Sequence, residues 1–366
     1  MDFETRRLAP VAGLAAAAVL TCLSRPACAQ DAEQKTAEQV YKNIVELKGT
    51  PADQLMPAMQ FISASLGVEC NFCHVEGKRE LDDKLPKKTA RAMIAMTLAI
   101  NRDSFKGRQE TTCYSCHRGA EHPAGIPPVL ESDAAKPAEA KAIAPAGAPP
   151  AADSILDRYV AALGGADAIR RITSRSMKGS ISVGGHEAPI ELLAKAPNKR
   201  ISITRMGGGE SVTAFDGTAG WLGGGGRPPR EMTAAESWAA GLDAEFYLPL
   251  RWKEIFPSVR GGRPETIGGA ECQMLIASGP GHPPVRLYFD VMTGLLVRTV
   301  RYAETPVGRL PTQVDYADYR EADGVKIPFR WTLSRPNGRF TIQIADVKSN
   351  LPIDDARFSK TAADAN

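Results

Sequence analysis

Apolar residues recur at helical spacing between residues 36 and 102, and alternate with polar residues through much of the chain beyond 153. Thr36 is placed to cap a helix, with Gln39 three residues later as its reciprocal partner. Val40, Ile44, Val45 and Leu47 would carry the apolar side until Gly49 stops it. A second helix follows at once, with Thr50 as cap and Pro51 in its first turn. Leu55, Met59, Ile62 and Leu66 lie on one face, and Gly67 ends it. A third helix is predicted over 88–102, with Met93, Met96 and Ile100 on one stripe.

Beyond residue 153 the pattern turns to period two. Phe340, Ile342 and Ile344 alternate with polar neighbours, while Asp216-Gly217 and Asp323-Gly324 sit between apolar runs as hairpin turns do. An amphipathic helix over 233–246 could plug the concave face of the resulting sheet. That leaves two readings of Trp238, Phe246 and Tyr247, as the lining of an apolar cavity or as ordinary core. Cys272 falls in a predicted strand and reads as a small buried hydrophobe.

Two further segments are not part of either pattern. Residues 121–152 are rich in Ala and Pro without an apolar period, which describes a semi-extended linker. At the start, Arg6 and Arg7 precede an apolar stretch over 8–23 and the small residues Ala27-Cys28-Ala29, which reads as an export signal over 1–29. The apolar stretch is interrupted by Pro10 and falls short of the roughly 20 residues a membrane span needs. The expected organisation is therefore a signal peptide over 1–29, a helical domain over 30–120, the linker over 121–152 and a β domain over 153–361, in a chain exported to the periplasm.

Composition narrows the choice of partners. The 45 basic and 42 acidic residues are interspersed and give a formal net charge of +3, so nucleic acid is not an expected partner. Removal of the leader takes Cys22 and Cys28 with it and leaves Cys70, Cys73, Cys113, Cys116 and Cys272, an odd number that does not suit a disulfide framework. The helical segment also holds few apolar residues for a self-sufficient core, and small domains of this kind are usually stapled or built on a cofactor.

Four of those cysteines fall in Cys70-Asn71-Phe72-Cys73-His74 and Cys113-Tyr114-Ser115-Cys116-His117, each a Cys-x-x-Cys-His pattern. Thiols one helical turn apart can both reach the vinyl groups of one porphyrin, and the adjacent His74 or His117 then lies under the iron as its proximal ligand. Two covalently bound haem c groups are the expected cofactors. A thioredoxin-like pair does not need the following His, let alone twice, and four Cys in zinc-ribbon spacing would not need export to an oxidising compartment. For the distal side, Met59 is the candidate at the first haem, with a core methionine as the alternative. Met96 is the candidate at the second, with Met93 one turn earlier in reserve. His122 is a further candidate distal ligand, too close to His117 to reach over the same haem but free to serve its neighbour, with a solvated side chain as the alternative, while His186 and His282 stand beside glycines or prolines and read as surface residues.

The run from Met59 through Gly67 to Cys70-Asn71-Phe72-Cys73-His74 resembles a haem-binding helix-turn-helix of the cytochrome c subunit of photosynthetic reaction centres. The stretch from Thr89 to Cys116-His117-Arg118-Gly119 resembles that family's next segment. The resemblance implies Met59 and His74 as the axial pair of the first haem. That family's full subunit has four haem sites where this chain has two, and its final haem is served by an imidazole from a segment absent here. The distal ligand of the second haem stays open.

Beyond the linker, Ile155 to Gly165, Phe215-Asp216-Gly217, Tyr288 to Leu296 and Asp323 to Phe329 resemble periplasmic lipoprotein-sorting and lipoprotein-binding proteins. That likeness implies a curved antiparallel sheet forming an unclosed barrel with a few helices, and brings no catalytic motif. The expected fold is thus an N-terminal all-α dihaem cytochrome c domain followed by this β domain. The expected function is that of a non-enzymatic electron carrier between a membrane donor and a periplasmic acceptor. Two alternatives remain: a dihaem peroxidase with one open iron, and a lipid- or lipoprotein-binding module with a redox-sensing haem domain.

Overall fold

The computed structural model describes residues 35–123, 151–206, 209–224, 227–336 and 338–360. The expected leader over 1–29 and nearly all of the expected linker lie outside these residues.

Residues 35–123 form five helices and no named strand: α1 (Ala37–Val40), α2 (Ala52–Leu66), α3 (Cys70–Cys73), α4 (Leu85–Phe105) and α5 (Cys113–His117). Helix α1 is much shorter than its apolar spacing suggests. The backbone leaves the helix at Tyr41 and Asn43 turns left-handed, and β-branched Val40, Ile44 and Val45 favour that exit. The capping box survives, with the Thr36 N–H donating to Gln39 Oε1 at 2.8 Å. The loop is tied back to α1 where the Gly49 N–H reaches the Glu38 carboxylate at 3.0 Å. Thr50 does not cap α2. Pro51 takes that position, and Thr50 is buried with its carbonyl accepting from the Ala37 N–H at 2.7 Å.

Helix α2 buries Leu55, Ala58, Ile62 and Ser65, with Met59 and Leu66 flanking this stripe. Its C-cap Gly67 is left-handed, as a helix terminator should be. A Cβ there would stand 2.2 Å from the Gly119 carbonyl oxygen, and the Gly119 N–H in turn donates to Ser65 O at 2.9 Å. Helix α4 is longer than predicted and turned differently. It buries Ile94, Thr97, Asn101 and the stem of Lys87, leaving Met93 39% and Met96 45% exposed.

The rest of the described chain begins with α6 (Ala152–Ala162) and α7 (Ala166–Arg171) and continues into one antiparallel sheet. Its strands are β1 (Ser174–Val183), β2 (His186–Lys195), β3 (Lys199–Met206), β4 (Gly209–Phe215), β5 (Gly220–Gly224) and β6 (Arg227–Glu231). After α8 (Ala234–Ala244) and α9 (Leu248–Ile255) follow β7 (Ser258–Gly261), β8 (Glu265–Ile267), β9 (Ala270–Gly279), β10 (His282–Asp290), β11 (Leu296–Thr305), β12 (Gly308–Ala322), β13 (Val325–Arg335) and β14 (Gly338–Ser349). The spatial order is β6-β5-β4-β3-β2-β1-β14-β13-β12-β11-β10-β9-β7, with β8 also on β9. Sequential hairpins build two wings, the pairing of β1 with β14 joins them, and β6 and β7 remain as edges. The sheet is therefore unclosed, as expected. Asp216-Gly217 and Asp323-Gly324 occupy the β4–β5 and β12–β13 turns.

One face packs α6, α7, α8 and α9 through Ile155, Tyr159, Ile169, Leu242 and Trp252 against Leu192, Leu287, Phe289 and Ile344. On the other face, Phe358 and Ile353 from the C-terminal segment cover Leu193, Ile201, Ile203 and Val212. Trp238, Phe246 and Tyr247 pack into the first of these cores, which decides for the core reading of those aromatics. Cys272 is fully buried in β9, as expected. Among the described residues no helix is long and apolar enough to cross a membrane.

The helical part and the sheet share a core. Val307, in the β11–β12 turn, is 1% exposed among Leu55, Ala58, Ile62 and Ile94. Gly308 lies under the Phe61 ring, where a Cβ would come within 2.4 Å of the ring, and Gln109 Nε2 donates to Thr305 O at 2.7 Å.

The Gly67–Gly119 approach yields a direct test. Gly67→Ala meets both left-handed strain and a backbone oxygen and is expected to cost about 3 kcal/mol or more, whereas Gly119→Ala meets open space and costs about 1 kcal/mol. Denaturant unfolding followed by helical circular dichroism separates the two. Equal losses would show that the close approach is not what orders this corner.

Candidate functional site

Each Cys-x-x-Cys-His segment is a single helical turn, with His74 as the C-cap of the first and His117 as the last helical residue of the second, and each histidine is fixed in the same way. In the first, the His74 N–H closes on Cys70 O at 3.0 Å, so Cys70, Cys73 and His74 stand at i, i+3 and i+4 on one side. His74 Nδ1 is 2.9 Å from Arg79 O. A carbonyl can only accept, so Nδ1 carries the proton and the Nε2 lone pair is left for a metal or another acid. In the second segment the box between Thr112 and Ser115 starts the turn, with the Thr112 N–H on Ser115 Oγ at 3.1 Å, and left-handed Arg118 ends it. His117 Nδ1 is 3.1 Å from Ala120 O, which gives the same tautomer.

Behind each histidine stands a polar residue of α4 that the sequence reading did not single out. Lys87 is 8% exposed, and its Nζ donates to Arg79 O at 2.9 Å, Glu80 O at 3.0 Å and Leu81 O at 2.7 Å. The loop whose carbonyl orients His74 is thus wrapped on one ammonium. Asp82 completes it, 3.0 Å from Lys87 Nζ, 2.7 Å from Arg91 Nη1 and 3.0 Å from Asn43 Nδ2. The Arg91, Lys87 and Asn43 hydrogen bonds hold its carboxyl well below the usual range. At the second segment Asn101, 5% exposed, pairs both ways with Thr111, Nδ2 to O at 2.7 Å and Oδ1 to the N–H at 2.9 Å, and so pins the chain as it enters α5. Lys87, Ile94 and Asn101 are seven residues apart on α4, so the available signal was a polar residue on a buried helical stripe.

Met59 lies on α2, half-buried against the helical core, and α2 packs on α5. Met93 and Met96 lie on the exposed side of α4, which packs on both α3 and α5. His122 is exposed with the Glu121 carboxylate 3.9 Å away. His282 opens β10 and stacks on Trp238 with centroids 4.3 Å apart, so it has a packing role that its Gly and Pro neighbours conceal. His186 is exposed at the start of β2.

The alternatives to haem fit this geometry poorly. Among the described residues no three of His, Cys, Asp and Glu converge on a metal-sized point, so the two Cys pairs do not assemble a zinc site. Cys70, Cys73, Cys113 and Cys116 are all unbridged, and burial pushes the Cys73 and Cys113 thiols up, opposite to the lowered value of a redox-active pair. Covalent haem fits the donor set: two thiols, an imidazole with its Nε2 lone pair exposed, and apolar surface to cover. Met56, Met93, Met96 and Tyr114 of this helical part are all large side chains at least 39% exposed.

The chain's similarities agree with this reading of its N-terminal part. The family model of the photosynthetic reaction centre cytochrome C subunit matches residues 12–152. The photosynthetic reaction center cytochrome c subunit of Thermochromatium tepidum is 34% identical over 95 residues, 25% of this chain and 24% of that one. The subunit of Roseobacter denitrificans is 33% identical over 117 residues, 28% of this chain and 31% of that one. The chain thus spans about a quarter to a third of the length of these curated relatives.

Among solved structures, a DUF1329 family protein from Desulfovibrio piger is 13% identical with a TM-score of 0.42, covering 58% of this chain and 98% of that one. A LolA superfamily protein from Nitrosomonas europaea is also 13% identical, with a TM-score of 0.42 and coverage of 58% and 99%.

Two outcomes follow from the support behind His74. Lys87→Met leaves three carbonyls without their donor and is expected to cost about 2–3 kcal/mol, with faster amide exchange over 75–82. Unchanged exchange there would refute the role given to Lys87. Because the folded Asp82 carboxyl titrates low, its stabilisation is complete above the ordinary value of about 4 and is lost as pH falls toward the folded value. Asp82→Asn should therefore flatten the acid limb of the stability profile, read as melting temperature against pH.

Proposed function

We propose that residues 35–120 carry two covalently attached haem c groups and that the chain transfers single electrons in the periplasm, between a membrane donor and an exported acceptor. The observation that supports this most directly is the repeated tautomer lock, His74 on Arg79 O and His117 on Ala120 O, which leaves both Nε2 atoms as the basic ones. Bound haem supplies a one-electron couple whose potential follows its axial ligands and surroundings.

The chain's own residues do the rest. Cys70 and Cys73 would hold the first group and Cys113 and Cys116 the second, with His74 and His117 as the proximal donors. Met59 would serve the first as the distal donor, and Met96, or Met93 one turn earlier, would serve the second. Buried Lys87 and Asn101 keep the two histidine segments in place through a change of charge, which is what rapid electron exchange requires of a scaffold. The likeness of residues 12–152 to a reaction-centre subunit supports electron transfer over enzymatic turnover. The alternative, a dihaem peroxidase with an open second iron, requires that Met93 and Met96 both stay off that iron.

A single set of visible spectra on protein matured with c-type haem machinery decides between these readings. Two haems per chain, a methionine-to-ferric-iron band and no response to carbon monoxide are expected. Met59→Leu should then open one of the two irons, so that half of the haem binds carbon monoxide. A wild-type high-spin component that binds carbon monoxide would move the assignment to the peroxidase, and absence of covalent haem would end both readings.

A further inference from the structure

A cleft of about 640 Å³, within the roughly 300–1,000 Å³ of ligand pockets, lies where the helical part meets the sheet. Phe61 and Ser65 of α2 form one side, Gln109 and Tyr114 a second, and Pro311 and Pro336 of the sheet a third. Thr112 and Tyr114, on either side of Cys113, line it, whereas Cys116 and His117 do not. It is therefore a space behind the second attachment turn, separate from the face that carries Cys116 and His117. The rim is exposed at Gln109, Tyr114 and Pro336, and the floor is buried at Ser65 and Gly308.

The polar groups of the cleft are unpaired while its charges are paired. Ser65 is 1% exposed, and its Oγ is sealed from bulk water with no hydrogen-bond partner. A helical serine commonly returns its hydroxyl to the carbonyl one turn back, and here that bond is not made. Gln109 fixes its amide nitrogen on Thr305 O at 2.7 Å, which leaves Oε1, an acceptor only, without a partner among the described residues. At the rim, Arg309 Nε is 2.9 Å from Glu304 Oε1, and Arg108 Nε is 3.4 Å from Glu110 Oε1. What the cleft offers is thus hydrogen bonding to a hydroxyl, with no net charge to attract an ion.

The apolar side chains are mostly rings. Phe61, Tyr114, Pro311 and Pro336 present flat faces, which pack a planar partner by stacking or edge contact better than a puckered one. Phe61 is held in place by Gly308, where a Cβ would come within 2.4 Å of the ring, so this wall is fixed before any ligand arrives. A sealed hydroxyl without a partner carries a desolvation cost, which a hydroxyl brought in on a flat apolar body removes.

We infer that this cleft binds an uncharged, planar aromatic molecule bearing a hydroxyl group, with its rings against Phe61 and Tyr114 and its hydroxyl on Ser65 Oγ. The site stands apart from the haem assignment, because binding and haem content are read separately.

The test is isothermal titration of the haem-matured full chain with 2-naphthol, decahydro-2-naphthol, naphthalene and 2-naphthoate, each below its solubility limit. 2-Naphthol should bind tenfold or more tightly than each of the others, which lack in turn the planar rings, the hydroxyl and the neutral charge. Ser65→Ala should weaken 2-naphthol about tenfold and leave naphthalene unchanged. It should not lower the melting temperature, because it removes an unpaired hydroxyl from a helix interior. Tyr114→Leu should weaken 2-naphthol several-fold at unchanged haem content, which separates a lost site from a failed attachment. Absence of 2-naphthol binding, which would leave the Ser65 hydroxyl to a trapped water, overturns the inference. So does any of the three comparison compounds binding as tightly, or undiminished 2-naphthol binding in both variants.

Discussion

The helical half of the protein depends on two backbones meeting where no side chain fits. Gly67 ends α2 against the carbonyl of Gly119, and the Gly119 N–H returns a hydrogen bond to Ser65. The left-handed turn at Gly67 sends the chain into the Cys70 segment, while the residue it touches closes the Cys113 segment two positions after His117. One contact therefore gives both attachment segments a common frame. A short helical module with little apolar surface could not supply that frame through packing alone.

The same helix couples this frame to the sheet. With Leu55, Ala58 and Ile62 turned to its own core, α2 presents Phe61 to the β11–β12 turn, where Gly308 leaves room for the ring and Val307 completes the helical core. Val307, from a turn of the sheet, is thus 1% exposed within the helical core, close to the full burial of Ala37 and Ala58. Strand β12 then runs from that turn to Val314 and Tyr316 in the wall of the concave cavity. The two halves are joined by the packing of Val307 and Phe61 and by the hydrogen bond from Gln109 Nε2 to Thr305 O.

What the sequence disclosed follows from which signals are local. Gly67 as a terminator, the two Cys-x-x-Cys-His turns, the Thr36 box and the Asp-Gly hairpins each depend on a few adjacent residues, and each is where its chemistry puts it. The α4 stripe is where periodicity misled. Met93, Met96 and Ile100 share one stripe, yet the helix is turned so that Lys87, Ile94, Thr97 and Asn101 are buried and both methionines are exposed. Hydrophobic spacing assumes that apolar side chains face protein. It cannot separate a face directed at the core from one that a large apolar cofactor would cover. The length of α1 was overestimated because β-branched apolar residues satisfy helical spacing even where they favour an extended exit. The aromatics Trp238, Phe246 and Tyr247 went to core because the helices on the concave face fill that region, and the cavity forms beside them.

The buried charges divide by whether the fold itself satisfies them. Lys87 gives its protons to three carbonyls and lies against Asp82, so its burial is complete within the chain and its task is to shape a loop. Arg301 is likewise closed by Asp243. Arg175 has no ion-pair partner among the described residues and lies instead 5.6 Å from the Phe246 ring centroid, where a flat, weakly hydrated guanidinium can keep its charge against an aromatic face.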